Sequence, residues 1–152
     1  MKPNIRRAVL GGFIGTLAIT MLMYWGAPMM GLAKMDIAAM LGSMLGSWTM
    51  GMVMHFVNGT IIFPLIYVHF LFRLLPGTAA AKGLTWGVIL WVVAQAMVMP
   101  MMGLGFFSLK MGSMMPAAAS LMGHIIYGLL LGWIAGAASG KVAGIQARPH
   151  AA

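Results

Sequence analysis

Residues 84–102 read LTWGVILWVVAQAMVMPMM, and no side chain in this stretch carries a charge. A helix needs about 20 mostly apolar residues to cross the hydrocarbon core of a bilayer, so the stretch predicts a transmembrane helix. Three further stretches, at 8–24, 47–72 and 117–138, have the same apolar character. The sequence therefore predicts an all-α polytopic membrane protein, a bundle of four transmembrane helices that forms a single membrane domain over residues 1–152.

The composition of the whole chain agrees with this fold class. In a soluble domain about a quarter of the residues are charged. In this chain 7% of the residues are charged and 62% are hydrophobic. The net charge of +8 does not indicate nucleic-acid binding, because the few basic residues lie at the ends of the apolar stretches. Cysteine is absent, which excludes thiolate metal sites. Asp36 is the only acidic residue, so no carboxylate pair exists for acid–base catalysis and we expect no enzyme.

The basic residues are distributed unequally between the two sides of the predicted bundle. Seven of the nine lie near the termini or in the 73–82 connection, against Lys34 and Lys110 on the other side. The positive-inside rule places the richer side in the cytoplasm. We therefore expect both termini to be cytoplasmic, and we expect the first span to be retained as a helix, not removed as a signal peptide.

The two connections on the outer side differ in length and character. Residues 34–45 predict a short interfacial helix after the first span, with Asp36 as its N-cap. The loop at 105–116 is the counterpart of this segment on the same side, in the shorter of the two connections.

Glycine predicts close contacts between helices. It recurs at every fourth position in and after the last apolar stretch, at Gly128, Gly132, Gly136, Gly140 and Gly144, and it also begins the third stretch, at Gly83 and Gly87. Rows of small residues let helix backbones approach closely inside a membrane. Such a row could hold the bundle together or contact a neighbouring subunit.

Two pairs of motifs occur in the same order in both halves of the chain. PMMGL occurs at 28–32 and again at 100–104, while HFVNG at 55–59 corresponds to HIIYG at 124–128. The proline and the histidine are 27 residues apart in the first half and 24 in the second. We predict a 2+2 parallel internal repeat about an axis along the membrane normal, with chance similarity as the alternative. The predicted parts are repeat one at about 1–75, repeat two at about 76–146, and a short cytoplasmic tail at 147–152.

Each half places one histidine at the same predicted depth. His55 lies 18 residues before Arg73, and His124 lies 17 residues before Lys141. At 1.5 Å per residue, each histidine lies about 26 Å above the cytoplasmic boundary. Ionisable groups inside a membrane usually face the bundle interior. Either each imidazole bonds to a neighbouring helix and stabilises the bundle, or the two imidazoles together bind one ligand.

Methionine is concentrated on the outer side of the predicted bundle. Apart from Met1, all of the 19 methionines lie within 21–54 or 97–122. Thioethers are soft ligands that select copper(I), often together with imidazole. The doublets and alternating runs of methionine resemble the methionine motifs of copper-transport proteins. The alternative is that methionine provides an adaptable packing surface for a partner.

These patterns define two overlapping sets of candidate residues. For a cofactor, the predicted binding residues are His55, His124, Asn58, Tyr127, Gly59 and Gly128. For a metal ion, the predicted ligands are His55, His124, Met52, Met54, Met99 and Met122. Asn58 and Tyr127 can reach back toward the imidazoles three residues before them, and nearby small residues leave room for a ligand.

Two functions remain open from the sequence. The first is a protein that binds copper(I) or one b-type haem in the outer half of the bundle. The second is a non-catalytic structural or accessory subunit that packs its methionine-rich half against a larger membrane complex, such as a respiratory complex. A homo-oligomer is also compatible with the sequence, and the lipid bilayer is the surrounding solvent in every case.

Three segments carry a resemblance to a known family. They are MDIAAMLG at 35–42, HFVNGT at 55–60 and GHIIYG at 123–128. Together they resemble an uncharacterised family of small bacterial membrane proteins with four spans, over most of the chain. The resemblance implies a location in the bacterial inner membrane and a four-helix fold, and it implies no activity or cofactor.

Overall fold

The computed structural model describes residues 3–29, 31 and 34–136. These residues form helices and connecting turns without strands, and four of the helices are long and apolar enough to cross a membrane. In chain order the helices are α1 (Ile5–Met29), α2 (Ile37–Leu45), α3 (Trp48–Leu74), α4 (Ala79–Met101) and α5 (Met115–Gly136). The four predicted spans are confirmed, with described ends that differ by five residues or fewer. The predicted end of the last span at Ala138 and the tail at 147–152 lie outside the described residues.

Helix α2 begins where the sequence predicts, at an aspartate. The carboxylate of Asp36 accepts a hydrogen bond from the backbone N–H of Ala39 at 2.9 Å, which confirms its role as N-cap. The same carboxylate accepts hydrogen bonds from the Tyr24 hydroxyl and from the indole N–H of Trp48, the latter at 3.1 Å. Burial would raise the pKa of Asp36, but these hydrogen bonds outweigh it and hold the pKa below its usual value. Asp36 therefore connects α2 to both neighbouring spans.

Three of the spans contain a π-helical turn that ends two residues before a proline. These turns are Leu22–Gly26, Asn58–Ile62 and Ala94–Val98, and the prolines that follow are Pro28, Pro64 and Pro100. Proline has no N–H and its ring clashes with the carbonyl one turn earlier, so a wider turn relieves a clash inside a continuous helix. The first and third turns lie 72 residues apart, as do their prolines. This agreement supports the internal repeat, which stays a prediction.

Glycine brings α4 and α5 into backbone contact. A Cβ atom at Gly83 would meet the carbonyl oxygen of Gly128 and would lie 2.6 Å from Cα of Gly132. A Cβ atom at Gly87 would meet the carbonyl oxygen of His124. The glycine row from Gly128 to Gly132 thus holds the bundle together from within. Gly140 and Gly144 lie outside the described residues.

Large side chains fill the half of the bundle that contains the connection between α3 and α4. The buried cluster there consists of Ala8, Tyr67, Val68, Phe72, Ala79, Trp86, Leu90, Tyr127, Leu131 and Ala135. We call this half the packed end, and we call the opposite half, which α2 covers, the cavity end. At the packed end Lys82 of α4 donates to the carbonyl oxygen of Phe72 at 2.7 Å, so this bond links α4 to the end of α3 across the turn.

Candidate functional site

A cavity of about 200 Å³ lies in the cavity end of the bundle. All four spans contribute to its wall, together with residues 35–41, which comprise the start of α2 and the two residues before it and which we call the α2 segment. The lining residues are Thr16, Ile19, Met23, Met35, Ile37, Met40, Leu41, His55, Asn58, Gly59, Phe63, Leu90, Val93, Ala94, Val98, Met99, Met102, Ser120, His124 and Tyr127. The cavity therefore brings together both histidines that the sequence singles out, although 69 residues separate them along the chain.

The position of each lining residue along its span gives its depth in the cavity. In α4 the lining runs from Leu90 to Met102, which at 1.5 Å per residue is about 18 Å. Tyr127 and Phe63 lie at the same end as Leu90, next to the packed end. Residues from the α2 segment lie at the opposite end, beyond the level of the histidines. The cavity thus has an aromatic floor, a polar middle and a methionine-rich top.

The hydrogen bonds of His55 assign a tautomer to its ring. The hydroxyl of Thr20 donates its only proton to the carbonyl oxygen of Thr16, at 2.7 Å. The same hydroxyl oxygen lies 3.0 Å from Nε2 of His55. Because Thr20 has no second proton to give, Nε2 of His55 is the donor in this contact. The lone pair of His55 is therefore on Nδ1.

His124 is oriented by its own helix in the opposite tautomer. Its Nδ1 lies 2.8 Å from the carbonyl oxygen of Ser120, and a carbonyl can only accept, so Nδ1 carries the proton. The lone pair is then on Nε2. Histidines that bind metals in proteins commonly have this arrangement, in which one ring nitrogen donates to a carbonyl and the other is the ligand.

The polar residues that follow the histidines take different positions. Asn58 and Tyr127 both line the cavity. The hydroxyl of Tyr127 donates to the carbonyl oxygen of Gly59 at 2.7 Å, so it connects α5 to the π-helical turn of α3 and does not reach back to His124. Gly59 lines the cavity, whereas Gly128 packs against Gly83 on α4. Gly128 is therefore a packing residue here, and the sequence motif alone did not distinguish the two glycines.

The methionines that line the cavity are largely not those that the sequence singles out. Of the four predicted methionine ligands only Met99 lines the cavity, while Met54 and Met122 are exposed on the bundle surface and Met52 lies outside the lining. The other methionines of the lining are Met23, Met35, Met40 and Met102.

A glycine explains why methionines close to His55 in the sequence are not its neighbours in the cavity. Gly51, one turn before His55, packs directly on the backbone of Ala38, so α2 covers that face of α3. The segment 35–41 therefore provides the thioethers at this position. Proximity in sequence to a histidine was a poor guide, because the methionines that line the cavity come from other elements.

The donor set of the cavity can be compared with the two cofactors that the sequence leaves open. Among the described residues, no group of three or more histidine, cysteine, aspartate or glutamate side chains could hold a metal ion. A metal ion here would need thioether donors beside the imidazoles, which is the chemistry of copper(I). A cavity of about 150 Å³ is known to bind benzene, and a porphyrin is several times larger than benzene. The volume therefore favours a single ion over haem.

The fold and the site define a class: a small helical membrane protein with four spans that surround a cavity lined by histidine and methionine. The chain belongs to the family described as a family of unknown function (DUF6789), whose model matches residues 3–144. The resemblance to an uncharacterised family is thereby confirmed. Searches of curated proteins and of solved structures gave no significant match.

Proposed function

We propose that this protein binds copper(I) in the cavity, through the imidazoles of His55 and His124 and the nearby thioethers. The observation that carries the proposal is that both histidines and five methionines line one cavity of about 200 Å³. Each histidine keeps one ring nitrogen with a lone pair, because its other ring nitrogen donates to a neighbouring oxygen.

The depth of each methionine in the cavity indicates which thioethers are candidate ligands of copper(I). Met23 lies about one turn from Thr20, the residue that contacts His55, and it is 2% exposed. Met99 lies about three turns beyond Gly87, which packs against the backbone of His124, so Met23 is the methionine nearer the histidine level. Soft, neutral donors bind copper(I) without a charged partner. This matters because Asp36, the only acidic residue of the chain, is not part of the lining. The proposed role is binding without catalysis.

The location follows from the distribution of charge. The packed end carries Arg73 and Lys82, so the positive-inside rule places this end in the cytoplasm and the cavity in the outer half of the bundle. We infer the bacterial inner membrane as the site of the protein, with cytoplasmic termini. Reporter fusions to the C-terminus that are active only outside the cytoplasm would stay inactive under this topology.

The test is copper binding by the purified protein in detergent, in the absence of oxygen, against a copper(I) chelator of known affinity. We expect one copper(I) per chain. His55→Ala and His124→Ala should each weaken binding at least tenfold, which is about 1.4 kcal/mol.

His69→Ala is the matched control for this experiment. His69 is an exposed histidine on α3, with Nδ1 at 2.9 Å from the carbonyl oxygen of Leu65, and it lies outside the cavity. Its loss should leave copper binding unchanged. A Soret band in the purified protein would favour haem instead. Copper affinity that is unaffected by either cavity variant would reject the proposal.

A second function is favoured by the loop between α4 and α5. Phe106 and Leu109 are 62% and 60% exposed, and they lie beyond the end of the α4 span. Exposed apolar side chains in a loop are typical of a surface that a partner covers. We therefore retain the accessory-subunit role, in a homo-oligomer or a larger membrane complex. Co-purification of stoichiometric partners with a copper-free protein would support this function.

A further inference from the structure

We propose that the segment from Met35 to Leu41 is the entrance to the cavity, and that Met35 and Met40 make the first contacts with a soft monovalent cation that enters there. This inference rests on the proposed copper(I) site. It concerns the route and the rate of loading, which the site itself does not determine.

The order of donors along the cavity supports this direction of entry. Met35 and Met40 come from the α2 segment at the top of the cavity, and Met102 lies at the same end of α4. Met23 follows on α1, because its carbonyl oxygen lies 3.4 Å from the backbone nitrogen of Met35 and it is one turn from Thr20, which contacts His55. Thioethers at successive depths would allow an ion to exchange ligands one at a time, without passing through an uncoordinated state.

The opposite end of the cavity offers no comparable route. The ring of Phe63 packs edge-on against Trp86, with centroids 6.3 Å apart. The hydroxyl of Tyr127 bonds to the backbone of α3 at 2.7 Å. Below these residues the buried cluster of the packed end fills the space between the helices. An ion that enters from this side would have to displace the core of the bundle.

The start of the α2 segment is held by side-chain contacts that lie outside the buried cluster of the packed end. Asp36 lies between two lining residues, Met35 and Ile37, and its carboxylate accepts from Tyr24 on α1 and Trp48 on α3. The backbone bond from Met35 to the carbonyl oxygen of Met23 is long, at 3.4 Å. Release of the Asp36 contacts would loosen the start of the segment, next to Met35, while the backbone contact of Ala38 with Gly51 keeps α2 on α3.

The test separates the rate of loading from the equilibrium. Copper(I) is offered as its complex with a weak chelator, without oxygen, and loading is followed by stopped-flow absorbance of the chelate. For the double variant Met35→Leu/Met40→Leu we expect loading that is about tenfold slower, with unchanged copper stoichiometry. Leucine has a similar volume to methionine and therefore perturbs packing little.

The matched control is Met44→Leu/Met50→Leu. These methionines are 45% and 55% exposed, lie in α2 and α3, and do not line the cavity. The control should load at the wild-type rate. A second variant, Asp36→Asn, weakens the hydrogen bonds that hold the segment and should speed both loading and release.

Each other outcome decides against the inference. Equal loading rates for the double variant and its control would reject an entry role. Lost stoichiometry in the double variant would make Met35 and Met40 permanent ligands of the site. A wild-type protein that takes up no copper(I) would reject the proposed function itself, and this result is recognisable before any variant is measured.

Discussion

The two ends of the bundle use the same four spans in opposite ways. At the packed end, glycines of α4 and α5 remove all side-chain volume between the backbones, and aromatic side chains fill the remaining space. At the cavity end, three of the spans pass through π-helical turns that precede prolines, and the four spans surround about 200 Å³ of unfilled space. We infer that the packed end stabilises the bundle and that the cavity end leaves space for the proposed site.

The largest expected effect comes from Gly83→Ala at the packed end. The added Cβ would meet the backbone of Gly128 and Gly132, which cannot move without separating α4 from α5. We expect a loss of about 2–3 kcal/mol in the free energy of unfolding in detergent, which is the upper range for overpacking.

Gly26→Ala is the control for this substitution at the cavity end. Its Cβ would meet only the end of the Leu22 side chain, at 2.9 Å, and that side chain can rotate away. Stability should change by less than about 0.5 kcal/mol. Equal losses in both variants would remove the distinction between the two ends.

A larger residue in the cavity end should change the stability little and lower the copper(I) affinity, unlike Gly83→Ala at the packed end. Ala94 lines the cavity, so Ala94→Leu adds volume where space already exists. We expect a change in stability below about 1 kcal/mol, since the space can accept the side chain. Copper(I) affinity should nevertheless fall at least tenfold. A strongly destabilised protein with unchanged copper affinity would show that the cavity is not an open site.

The smallest expected effect concerns the pH dependence of α2. The pKa of Asp36 is lowered in the folded protein, so the ionised carboxylate stabilises the fold above its unfolded pKa of about 3.9. This contribution is lost as the pH falls through the lowered value. Asp36 is partly exposed, so the effect should stay below about 1 kcal/mol. Unfolding of wild type and Asp36→Asn between pH 7 and pH 3 would measure it, and identical pH profiles would contradict it.

The fold was largely predictable because lipid imposes a simple rule on sequence. Uncharged stretches of sufficient length gave the four spans, and a lone aspartate before an apolar run gave α2 and its N-cap. The glycine row indicated close helix contact, and the structure assigned that contact to α4 and α5. The cytoplasmic orientation and the internal repeat stay predictions.

The site was predictable only in part. Matching depth and matching neighbours identified His55 and His124, which both line the cavity. The methionines could not be chosen in the same way, because Met40 on α2 and Met35 just before it line the cavity only through the tertiary contact between Gly51 and Ala38. The tautomers of the histidines depend on Thr20 and Ser120, whose positions the sequence does not specify.

The π-helical turn at Ala94–Val98 has a consequence for the phase of the helix beyond it. A residue added to one turn advances every later side chain by about 100° around the axis, as 3.6 residues per turn require. A helical wheel drawn through the whole span as a regular α-helix would therefore place Met99 and Met102 on the wrong face of the helix. Deletion of one residue from this turn would return the span to a regular α-helix and rotate both side chains out of the cavity lining.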